Sequence, residues 1–166
     1  GMQAWITLRM NDVHDAKRRD FPLHGRFFRE HPEFSRQNCG TGKTGAALDY
    51  ARPEVREFFG ALIRESLERY DLDGLELDFM RGPWLFSKDG ETEGRRILTA
   101  WLGEIRQWTR AAAKRLGRPV RLGVRTPSNP DTAVRSGLDA VAWARAELVD
   151  LIVPTPFWAT MEFDMP

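Results

Sequence analysis

With 166 residues, and 25 Lys and Arg set against 24 Asp and Glu for a net charge of +1, the chain is sized for one ordinary domain with no surplus of either sign. That balance gives no electrostatic ground for nucleic acid or an anionic membrane as partner, and nowhere do about 18 apolar residues run together as a membrane span requires. The single cysteine, Cys39, excludes an internal disulfide, so any metal would need His and carboxylate ligands; no metal spacing is recognisable and no cofactor is expected.

The chain opens on Gly1-Met2, which reads as a tag remnant before an initiating methionine, so the domain is expected over residues 3–166. No stretch near this start resembles a signal peptide. The compartment stays open: extracellular or periplasmic for a parent protein that degrades polysaccharide, cytoplasmic otherwise.

Residues Ala4 to Met10 alternate Ile6, Leu8 and Met10 with Trp5, Thr7 and Arg9, the period of two of a strand. From 12 to 49 the text is irregular, rich in charge and holding all three His, as a binding loop or lid would be. Its "GTGKTG" is no phosphate loop, because the required first glycine falls on Gln37 and no apolar strand leads in.

An amphipathic helix follows over Pro53–Tyr70, with Val55, Phe58, Leu62, Ile63 and Leu67 on one face. "DLDG" ends it, and "LELDFM" is a second strand leading to a Gly-Pro loop. A second helix, Glu93–Leu116, carries Ile97, Leu98, Trp101, Leu102, Ile105, Trp108 and Ala112 and stops at Gly117. "PVRLGVRTP" is a third strand, a Ser-Asn-Pro-Asp turn follows, then a helix over Asp139–Leu148 and a fourth strand, "VDLIVPTPFW".

Strands alternating with helices predict an α/β fold with a parallel sheet. Each strand has one apolar face and one polar face: Leu75, Leu77 and Phe79 against Glu76 and Asp78, or Val120, Leu122 and Val124 against Arg121 and Arg125. An open doubly wound sheet would be apolar on both, so the reading is a partial (βα)8 TIM barrel of about four units, whose raw edges invite a homodimer.

Charge at Glu76 and Asp78 in an otherwise apolar strand marks the candidate catalytic pair, with Asp78 nearer the mouth and Arg9 and Arg125 as neighbouring cations. Asn11, Asp12 and His14 lie just past the first strand, where a hydroxyl-rich ligand finds donors and acceptors, and Arg81 just past the second. Trp84, Phe157 and Trp158 stand in loops after strands and are the candidate stacking platforms.

"DGLELDFM", Asp73 to Met80, resembles the D-G-x-D-x-D-W-E strand of family 18 chitinases, but the acid of that family falls on Met80, which cannot donate a proton. "LDFMR" resembles the K-W-D-M-N-R strand end of family 36 α-galactosidases, which places their nucleophile on Asp78. Residues 47–81 and 137–158 are similar to uncharacterised glycoside-hydrolase-like barrels. This resemblance implies a glycosidase-type hydrolase acting on a carbohydrate or polysaccharide at the barrel mouth. The alternatives are a carbohydrate-binding barrel without catalysis, or a metal-dependent hydrolase built on Asp12, His14, Glu76 and Asp78.

Overall fold

The structure, a computed structural model, describes residues 1–12, 14, 15, 17–37, 39 and 46–156. Phe157 and Trp158 lie outside the described residues, as does the "GTGKTG" segment from its first glycine onward.

Four strands, β1 (Trp5–Arg9), β2 (Gly74–Asp78), β3 (Arg121–Pro127) and β4 (Leu151–Thr155), form one all-parallel sheet in the order β1-β2-β3-β4. Each strand pairs with the next in sequence, so every crossover steps in the same direction. Right-handed crossovers in that order place all their helices on one face. That face carries Leu75, Leu77, Leu122 and Val124, all with no exposed surface. Among the described residues no helix covers the opposite face, and there Thr7, Arg9, Arg121 and Leu151 are exposed. The alternation in the strands is thus the signature of a singly wound sheet.

Two long helices supply most of the cover. Helix α2 (Pro53–Arg69) starts with Pro at its first position and Glu54 in its first turn. It buries Val55, Phe59, Gly60, Ile63 and Leu67; Leu62, expected on that face, is 37% exposed. The buried row runs every fourth residue from Val55, and Leu62 falls outside it. Helix α3 (Glu91–Leu116) buries Leu98, Trp101, Leu102, Ile105 and Ala112 and ends on Gly117 at φ +67°, a left-handed cap suited to glycine.

Two further helices follow β3: α4 (Pro130–Arg135) and α5 (Ala140–Arg145). The Ser-Asn-Pro-Asp stretch expected as a turn is the start of α4. Asn129 accepts a hydrogen bond from the Thr132 amide and Pro130 takes the first helical position, so turn residues here act as a helix cap. Between β1 and α2, the segment read as irregular holds a short helix, α1 (Arg26–Glu30), a 3-10 turn at Pro32–Phe34 and a bridge from Ser35 to Leu48. Phe27 of α1 stacks on Phe58 of α2 with centroids 4.1 Å apart, which docks the segment onto the helix layer.

Glycines position two aromatic rings. A Cβ on Gly74 would sit 2.5 Å from the Trp5 ring and one on Gly123 3.1 Å from it, so Trp5 lies flat across β2 and β3 at the N-terminal end of the uncovered face. Phe86 is held in the same way between Gly94 of α3 and Gly137, the latter at φ +84°.

Candidate functional site

Register brings Arg9, Asp78 and Arg125 side by side across three strands on the uncovered face, with Thr7, Glu76 and Gly123 one layer below. Glu76 and Asp78 are each only 7% exposed. The Arg125 guanidinium donates to Glu76 Oε1 from Nε at 3.2 Å and from Nη2 at 3.0 Å, and the Thr7 hydroxyl donates to the same oxygen at 3.3 Å. Arg125 reaches Asp78 only at 3.8 Å. Asp78 is instead aimed by its own chain: Oδ1 accepts the Met80 amide at 2.9 Å, and no hydrogen bond to Oδ2 occurs among the described residues. Arginine thus ties down the deeper carboxylate and leaves the shallower one with an open oxygen at the C-terminal end of β2.

Arg9 was the other expected partner of this pair. Its guanidinium turns to Asp12, with Nη1 2.9 Å from Oδ2. Asp12 also accepts the His14 backbone amide at 2.9 Å and the His14 ring Nδ1, both on Oδ1. Partial burial works to raise the Asp12 pKa, but the hydrogen bonds from His14 and Arg9 and the charge of His14 outweigh it and hold the carboxyl below its ordinary value.

Asn11, expected among substrate-binding residues, is 3% exposed and spends its side chain on the fold. Its amide donates to the carbonyls of Leu48 and Trp84, both at 3.1 Å, and its oxygen accepts the Leu48 amide at 3.2 Å. It pins three loops together at the end of β1. The Trp84 side chain, expected as a stacking platform, is half-buried and packs near Ala47.

Arg9, Asn11, Asp12, His14 and Arg81 do share one feature: all line a cavity of about 610 Å³ at the C-terminal end of β1. The rest of its lining is Asp15 and Gly25 together with Phe21, Leu23, His24, Phe27, Phe28, Leu48, Phe58 and Phe59. Sequence reasoning missed this aromatic wall. Its traces are the "RFFRE" and "EFFG" pairs and the "DFPL" ahead of them; Phe58 reads as core at helical spacing, and Phe21, Phe27 and Phe28 sit in a stretch without a clear period. Asp78 and Arg125 are not among the cavity's lining residues; Arg9, in register with Asp78, joins the two regions.

Among the described residues, no group of three or more His, Cys, Asp or Glu is placed to hold a metal ion, and no helix is long and apolar enough to cross a membrane. No known protein-family model matches the chain, and no curated protein does.

Proposed function

We propose that the chain is part of a glycosidase-type hydrolase whose sugar substrate lies over the C-terminal ends of β1 and β2, with Asp78 as the nucleophile or base. One observation carries this reading: Asp78 is nearly buried, fixed through Oδ1 to the Met80 amide, and has no hydrogen bond on Oδ2 among the described residues, while Arg125 bonds Glu76 and stays 3.8 Å from Asp78. A carboxylate held still with one unpaired oxygen at the end of a parallel strand suits attack on, or water activation at, an anomeric carbon. Glu76 then serves to position Arg125 and the strand layer.

Glycoside hydrolysis also needs a group that protonates the leaving oxygen. Glu76 and Asp12 are both held by cations, and Glu162 and Asp164, which the sequence also offers as acids past the fourth strand, lie outside the described residues; among the described ones we assign this role to His14, whose Nδ1 is oriented by Asp12. Arg9 and Arg81 contribute donors to sugar hydroxyls. The sequential strand order fits about half of a (βα)8 barrel, and we extend the proposal to a homodimer in which the free edges of β1 and β4 meet those of a second copy.

A binding-only reading has one observation in its favour: Met80 occupies the place where a chitinase-like strand would carry its acid. Asp78→Asn separates the two. Turnover of a panel of chromogenic glycosides is expected to fall by at least about 100-fold while calorimetric affinity for the same sugars is kept. Unchanged turnover removes Asp78 from the chemistry.

A further inference from the structure

The cavity at the end of β1 has two unlike sides. Arg9, Asp12, His14 and Arg81 stand on one, at the strand ends; Phe21, Leu23, Phe27, Phe28 and Phe58 form the other. Those five side chains carry no hydrogen-bonding group, and the His24 ring packed against Phe21 and Phe28 has its two nitrogens at the carbonyls of Arg19 and His14. A sugar ring can lay one C–H face on such a wall, but any rim hydroxyl turned toward it would lose water without gaining a partner, at about 1–3 kcal/mol each. A purely apolar ligand would in turn strip water from the Arg9–Asp12–His14 cluster and from Arg81 without replacing it.

We infer that the cavity takes the two halves of one ligand: a hydroxylated sugar against the charged side, and an apolar aryl substituent, the aglycone, against the phenylalanine wall. This rests on the glycosidase reading above and adds a substrate class to it, an aryl glycoside in preference to a bare oligosaccharide. The size agrees, since about 610 Å³ falls within the roughly 300–1,000 Å³ common for small-ligand pockets. Leu23, 85% exposed, sits at the rim, where a bound aryl group would cover it.

The test is calorimetric binding of matched phenyl and methyl glycosides of glucose, galactose and mannose to the whole chain. Each phenyl member is expected to bind at least about tenfold more tightly than its methyl partner, by a similar factor for each sugar. Leu23→Asp, at an exposed position that the fold does not need, and Phe58→Ser should each shrink that factor. Should Phe58→Ser loosen the docking of α1, Leu23→Asp still decides the matter. Equal affinity for phenyl and methyl members, or a factor that Leu23→Asp leaves untouched, overturns the inference. Asp78→Asn should leave the factor intact, so failure of the catalytic reading shows in turnover and failure of this one shows in the phenyl-to-methyl ratio.

Discussion

Gly94 shows how a single residue can contradict its own propensity. At a helical position such as this one, in the first turn of α3, alanine normally gains up to about 1 kcal/mol over glycine. Here a Cβ would meet the Phe86 ring at 2.4 Å, so Gly94→Ala must displace a ring that is 1% exposed and already pinned by Gly137. The expected net loss is about 1–3 kcal/mol, read from a denaturant midpoint. Asp150 gives a second residue-scale expectation. Burial works to raise its pKa, but hydrogen bonds from Arg106 and the Leu122 amide, and the charges of Arg106 and Arg121, leave it below the usual 3.8. The unfolded chain therefore takes up the proton first as pH falls. The stabilisation is fully present well above pH 4 and is lost as pH drops through the folded value. Thermal midpoints followed from neutrality to about pH 3 should fall less steeply in Asp150→Asn than in the parent chain.

At the scale of elements, β2 and β3 are joined by charge as well as by their ladder. Arg125 on β3 holds Glu76 on β2, and removing the guanidinium leaves a carboxylate that is 7% exposed with Thr7 as its one remaining side-chain partner among the described residues. Arg125 itself is about one-third exposed, which moderates the effect, so Arg125→Leu is expected to cost about 2 kcal/mol. Adding Glu76→Gln should restore part of it, a non-additivity that a double-mutant cycle measures. Equal and additive losses would show that the pair does not couple the strands. The same interaction frees Asp78, so Arg125→Leu should also change the pH profile of any turnover.

For the whole molecule, the decisive feature is a singly wound parallel sheet with one face under helices and one face bare. On the bare face Trp5 and Leu151 form an apolar layer, with Glu76, Arg125 and Asp78 toward the C-terminal end. If two copies pair edge to edge, sedimentation should give a dimer, and a Pro or Lys placed in β4 in place of Val153 should dissociate it without unfolding the monomer. A monomer at all concentrations would sink that assembly.

Much of this was already written in the residue order. Alternation in "LELDF" and "RLGVR" fixes which side chains face helices, because a pleated strand has a strict period of two, and the long helices show their buried rows and caps in plain text. The placement of Glu76 and Asp78 on the polar side, and of Arg9, Asp12 and His14 at the end of β1, follows from the same rule. What the order of residues leaves open is who partners whom. Arg9 and Arg125 look equivalent beside the carboxylates, yet Arg125 takes Glu76 and Arg9 turns to Asp12. Asn11 looks like a ligand group and is a loop pin; Phe27 and Phe58, 31 positions apart, make one wall. The reason is physical: periodicity is a local property of the chain, whereas ion pairing and cavity walls depend on distances between segments that only the folded topology sets.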